Sequence, residues 1–280
     1  MAVSVHGADR QFFIGLARAF AGALIFAMPM LMTMELWQIG FYTDDGKLAL
    51  LLFLSFPLLV GLSRYSGFKP TYTLRDDVAD ALVAICVGAA MSTTVLYLFE
   101  VIGPDVSLRE TLGKIALQTV PAAIGATLAR EQLTGGRPDD AQPGDRGERE
   151  PGFGGELFLM AVGALFLGLN VAPTEEPVLL SYMMGPWHEI GLVLASLVLM
   201  HGFVYAVEFP GQHRPLEGAT FAGVVVRYTV TGYVLVLLIC WYLLWTFDRT
   251  AGLSTREIVS ACIVLAFPSS IGAAAARLIL

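Results

Sequence analysis

Two glutamates recur in one local setting. Thr33 and Glu35 close an apolar run that passes through Gly22, and Thr174 and Glu176 close a run that passes through Gly163, each residue 141 positions after its counterpart. Carboxylates at the ends of such runs can concentrate or coordinate cations, as acidic rings do in cation channels. The plainer reading makes them interfacial charges facing water. Pro29 and Asn170 stand at the same offset just before the glutamates, and Pro173 follows in the second run. Proline removes a backbone donor and frees a carbonyl, a feature of helices that break to line a cavity. Alternatively, Pro29 is a kink and residues 172–177 (A-P-T-E-E-P) mark a helix end. The candidate ion-pathway residues are thus Glu35, Glu176, Thr33, Thr174 and Asn170.

Asp80 and Arg227 form a second constellation, 147 positions apart. Each sits about one turn inside an apolar segment, where a lone charge is costly unless paired or hydrated. Opposite charges at equivalent positions suggest a gate or a structural ion pair. Snorkelling of Arg227, with Asp80 in water, is the alternative. Lys114 and Gln118, with Thr93 and Thr94, are candidates for a polar path or for helix-packing hydrogen bonds.

Other chemistry finds little support. His201 is the one histidine well inside the apolar pattern, which does not suit a haem held by two histidines. No H-E-x-x-H, G-x-S-x-G, Walker A or G-x-G-x-x-G pattern occurs. Cys86, Cys240 and Cys262 lie in apolar stretches without C-x-x-C spacing and are read as packing residues. No catalytic residue, metal ligand or cofactor is assigned, and nothing suggests a nucleic-acid partner.

The elements that position these residues follow from composition. Apolar residues make up 56% of the 280 positions and mean hydropathy is +0.68, above the level of ordinary soluble domains. The excess lies in runs too long for barrel strands and long enough for helices that cross a hydrocarbon core of about 30 Å. Helices are expected at 16–38, 47–68, 77–102 and 110–130, then at 156–174, 187–209, 219–247 and 257–279. The first run, with Arg18 near its start and no cleavage motif, is expected to be a retained span.

Residues 131–155, rich in Gly, Pro and charge, read as a flexible linker. It separates a first four-helix repeat (1–130) from a second (156–280). The repeat rests on motifs in register. Arg109-Glu110 before VPAAIGATLAR (120–130) matches Arg256-Glu257 before FPSSIGAAAAR (267–277) at an offset of 147, and Gly22, Thr33 and Glu35 match their partners at 141. The change of offset places a six-residue insertion near 210–218.

Basic residues such as Arg18, Arg64, Lys69, Arg75, Arg130, Arg137 and Arg214 fall on one side of the spans. Acidic residues such as Asp44, Asp105, Glu175 and Glu189 fall on the other. The expected topology is an all-α, eight-span protein of the bacterial cytoplasmic membrane, with both termini cytoplasmic and the repeats parallel.

The whole chain resembles an uncharacterised family of bacterial integral membrane proteins of about this length, which implies membrane integration and no activity. A narrower resemblance touches the first helix. RAFAGALIFAMPMLMTMEL (18–36) is similar in spacing to the first helix of lysosomal and bacterial potassium channels with a Phe-Ser-Asp signature. Phe20, Glu35 and Leu36 fit that pattern, while Ala21 and Gly22 replace its Ser and Asp, so no potassium filter is carried over.

The expected function is a cation channel or transporter with its pathway between the repeats or between protomers of a homo-oligomer. The competing expectations are a membrane scaffold or sensor subunit acting through a protein partner, and a membrane enzyme of unrecognised type.

Overall fold

The structure is a computed structural model that describes residues 3–66, 73–133, 152–206 and 225–279; the side chains of 3–12, 65–66, 129–133, 203–206, 225–227 and 277–279 lie outside the described set. Described residues are helical or in turns, with no strand among them. Packing divides the chain into two compact units, Met1–Gly147 and Glu148–Leu280.

Unit 1 contains α1 (Val3–Leu31), α2 (Met34–Tyr42), α3 (Asp45–Ser66), α4 (Leu74–Leu98) and α5 (Leu108–Leu133). Unit 2 contains α6 (Phe153–Val171), α7 (Glu176–Met183), α8 (Pro186–Ala206), α9 (Thr231–Thr246) and α10 (Thr255–Ile279). A π-helical turn, Val225–Val230, leads into α9. The expected linker shortens at both ends, because α5 continues to Leu133 and α6 begins at Phe153. Residues 134–151 and the expected insertion near 210–218 lie outside the described residues, as do Lys69, Arg137 and Arg214.

Among the described residues, six helical stretches are long and apolar enough to cross a membrane: Phe13–Leu31, Asp45–Arg64, Leu74–Leu98, Phe153–Val171, Tyr228–Thr246 and Thr255–Ala276. Their sides facing away from the unit carry exposed Phe53, Leu82, Trp241 and Val259, the pattern expected of a lipid-facing surface. The helix α5 is absent from that set for a physical reason. It packs against α1, α2, α3 and α4 at once, and residues 117–128 are all buried. A helix enclosed by other helices meets no lipid, so it can carry Lys114, Gln118 and Thr119. In α8 the run from Ile190 to Met200 is apolar but for Ser196, and its described side chains end at Gly202.

Each unit is centred on its last helix. Helix starts there are fixed by side chains. Ser107 Oγ accepts from the Glu110 amide at 3.2 Å, and Ser254 with Glu257 forms a reciprocal cap, Ser254 N donating to Glu257 Oε2 at 2.6 Å. Small residues then bring backbones together. A Cβ at Gly125 would lie 2.7 Å from Gly22 O, one at Gly163 would overlap Gly272 O, and one at Gly113 would overlap Gly40 O. Glycine at these crossings is therefore a packing requirement, as in membrane helix pairs generally. Two further ends match in form: α4 and α9 each finish in Phe followed by an acidic residue with left-handed backbone, Glu100 (φ 57°) and Asp248 (φ 59°).

Candidate functional site

The first expected helix of unit 1, 16–38, is not continuous. It stops at Leu31 and restarts at Met34 as the nine-residue α2. Pro29 lies inside α1, and the interruption falls at Met32 and Thr33. Donors close the gap: Met30 O accepts from Thr33 Oγ1 at 2.8 Å and from Gln118 Nε2 at 3.3 Å, while Leu31 O accepts from Trp37 Nε1 at 2.9 Å. Glu35 stands half-exposed in the first turn of α2, where a carboxylate complements the positive end of the helix dipole. Arg109 secures the far end of α2, donating to Phe41 O at 2.9 Å and pairing with Asp45 at 2.8 Å.

Unit 2 breaks in the same place. The A-P-T-E-E-P segment ends α6 at Val171, and the eight-residue α7 follows from Glu176 with Pro177 in its first turn. Thr174 Oγ1 lies 2.7 Å from Val171 O. Arg249 donates through Nε and Nη2 to Pro173 O and pairs with Glu175 at 3.2 Å. The Thr174 hydroxyl has one proton and two acceptors, Val171 O and the Glu176 carboxylate. That hydroxyl is the largest influence holding Glu176 below the ordinary 4.5; its own backbone N–H adds to the effect, slight burial opposes it, and Arg249 contributes less. Asn170 spends its amide on Phe166 O at 2.8 Å within α6.

The carbonyls Met30 O, Leu31 O, Val171 O and Pro173 O are thus already paired with protein donors. What the two breaks offer an ion is the charge of Glu35 and Glu176, at the rim of their units. Asp80 accepts from Ser63 Oγ at 3.4 Å. Arg227 lies in the π-helical turn with its side chain outside the described residues, so the expected pair with Asp80 falls outside them too. Thr93 and Thr94 are exposed and bonded back to Ala89 O and Ala90 O at 2.7 Å. Cys240 and Cys262 are buried, as expected of packing residues, whereas Cys86 is exposed. No group of three His, Cys, Asp or Glu suited to a metal occurs among the described residues.

Two features escape the sequence reading. Lys114 is buried in unit 1, its Nζ 2.6 Å from Glu110 Oε1 and 3.0 Å from Val101 O. The pair is spaced i,i+4 on α5, but a lysine in an apolar helix reads equally well as a pathway residue. In unit 2 a polar cavity of about 300 Å³ opens between α7, the start of α8 and the start of α10. Ser181, Tyr182, Glu189, Arg256, Glu257 and Ser260 line it. Glu189 Oε1 accepts from Ser260 Oγ at 2.7 Å, and no cationic side chain forms a salt bridge with Glu189 among the described residues. The only sequence signal for this cavity was Arg256-Glu257, read as a repeat motif.

Residues 15–280 match the model of a family described as "Putative integral membrane protein (DUF2391)". No curated protein and no solved structure matches the chain.

Proposed function

Since the chain belongs to the DUF2391 family of integral membrane proteins, we propose that it moves cations across a bacterial cytoplasmic membrane, with Glu35 and Glu176 as acidic mouths on the non-cytoplasmic side. One observation carries this reading: both units interrupt the first long helix at the same relative position and restart it in a short helix whose first turn holds a carboxylate. A fixed negative charge at a wet rim raises the local cation concentration over roughly a Debye length, about 10 Å at 0.1 M salt. Thr33 and Thr174 act in this reading by closing the breaks and, for Thr174, by holding Glu176 ionised, while Asn170 caps a carbonyl within α6. Direct coordination is not their role. Asp80 and Arg227 remain the proposed cytoplasmic-side gate or ion pair.

The same reading takes the two units as copies of one plan and counts eight spans with both termini cytoplasmic. The matching crossings Gly22–Gly125 and Gly163–Gly272, and the left-handed ends of α4 and α9, support the duplication. The enclosure of α5 supports its inclusion as a span.

The test is flux of K⁺, Na⁺ and H⁺ into liposomes containing the purified chain. Glu35→Gln with Glu176→Gln is expected to lower cation flux several-fold at 10 mM salt and to lose most of that effect at 1 M, where the screening length falls to about 3 Å. Equal flux in both proteins at both ionic strengths refutes the assignment.

A further inference from the structure

Eight residues of helix rise about 12 Å, well short of a hydrocarbon core of about 30 Å. The helix α7, Glu176–Met183, is therefore not a span. Its outward surface is apolar all the same: Pro177 and Ser181 turn into the unit, while Leu179, Leu180, Tyr182 and Met183 stand exposed. Trp187, at the start of α8, is 83% exposed. So many large apolar side chains clustered within a few turns mark a surface that water does not cover.

The continuation of this surface shows what does cover it. Beyond Trp187 the exposed residues of α8 are Ile190, Leu194 and Val198, a spacing of three and then four that keeps them on one stripe of the helix. The stripe has the same exposed apolar character as the lipid-facing sides of the spans, and α7 joins it at its end. The side chains at the join are of the interfacial kind. The Tyr182 ring is exposed while its hydroxyl bonds to Glu257, and an apolar body with a wet tip suits the boundary between headgroups and acyl chains. At the opposite end of α7, Glu175 and Glu176 are exposed and charged.

We infer that α7 and Trp187 are immersed in the interfacial layer of the leaflet nearest them, with phospholipid as the partner that covers Leu179, Leu180, Tyr182, Met183 and Trp187. The helix lies there as a short amphipathic segment, its Ser181 side against the unit, its apolar side in lipid and its acidic start toward water. Unit 1 has the same chemistry in α2, nine residues long with Met34, Phe41 and Tyr42 exposed. On the proposed topology the leaflet is the non-cytoplasmic one. This placement requires membrane integration alone and is independent of cation transport.

The experiment compares the full-length chain with Trp187→Phe in liposomes, so that the emission missing from the variant reports Trp187 alone among the four tryptophans. The phospholipid carries bromine either near the glycerol end of its acyl chains or near their terminal methyl, and iodide serves as a quencher confined to water. Bromine near the glycerol end is expected to remove about half of the Trp187 emission or more. Bromine near the methyl is expected to remove less, and iodide less than it removes from free tryptophan. Strong quenching by iodide with none by bromine puts Trp187 in water and overturns the placement. Stronger quenching by the methyl-end bromine puts it in the hydrocarbon core and overturns it too. Quenching by neither reports a protein cover, a second copy of the chain included, and rejects lipid as the partner.

A second measurement does not depend on tryptophan. In nanodiscs, with the rate of the unsubstituted chain subtracted, Met183→Cys is expected to react with a water-soluble maleimide at least about tenfold more slowly than Ala251→Cys in the exposed turn before α10. Equal rates would return α7 to water.

Discussion

Lys114 and Glu110 show how burial makes a charge pair asymmetric. The lysine side chain is 10% exposed and the glutamate 22%, so each loss has a different consequence. Lys114→Met leaves a carboxylate near the surface, where it can rehydrate, and is expected to cost about 1 kcal/mol. Glu110→Gln leaves an ammonium enclosed by α2 and α5 with only Val101 O and a neutral amide, and is expected to cost about 3 kcal/mol. Denaturation of the two variants in one detergent decides it; equal costs would mean that the ammonium reaches water. Glu176 gives a second test. Its folded pKa lies below 4.5, so its contribution to stability is present above 4.5 and fades as pH falls through the lower folded value. Thr174→Val removes the hydroxyl and is expected to bring the Glu176 titration, followed by carboxyl NMR, back toward 4.5. An unmoved titration would transfer the effect to the backbone N–H and Arg249.

At the scale of elements, the glycine crossings separate two kinds of substitution. Gly272→Ala drives a methyl into the Gly163 carbonyl and is expected to destabilise unit 2 by about 1–3 kcal/mol. Gly191, on the exposed side of α8, has nothing within 4 Å of an added Cβ. Gly191→Ala is expected to be neutral or stabilising by up to about 1 kcal/mol through helix propensity. Thermal melts of the pair check the contrast, and a similar loss in both would show that helix flexibility decides the outcome. The long helices were legible because lipid-facing sides demand continuous apolar residues. The break at Thr33 was only hinted at by Pro29, since Met32 and Met34 continue the apolar run and the interruption depends on Gln118 and Trp37 reaching back to α1. In unit 2, Pro173 and Pro177 announced the same event locally. The cavity was illegible because its walls come from three helices and its serines resemble packing residues until their neighbours are known.

For the molecule as a whole, the charge pattern makes a directional claim. With native cysteines replaced, Gly46→Cys in the exposed first turn of α3 is expected to react with an impermeant maleimide added to intact cells. Gly152→Cys at the start of α6 is expected to react only after lysis. The reverse pattern would invert the topology and move Glu35 and Glu176 to the cytoplasmic side. The crossings also divide the two units mechanically. In unit 1, α5 is bolted at two points, to α1 through Gly22 and Gly125 and to α2 through Gly40 and Gly113; the two bolts lie about 18 Å apart along the helix axis. Two bolts make a bracket. In unit 2 the crossing of Gly163 with Gly272 remains, but serines stand at the second position and the helices part around a cavity. There the second bolt is a side-chain one, Ser260 of α10 donating to Glu189 of α8, and a hydrogen bond can stretch where backbones in contact cannot.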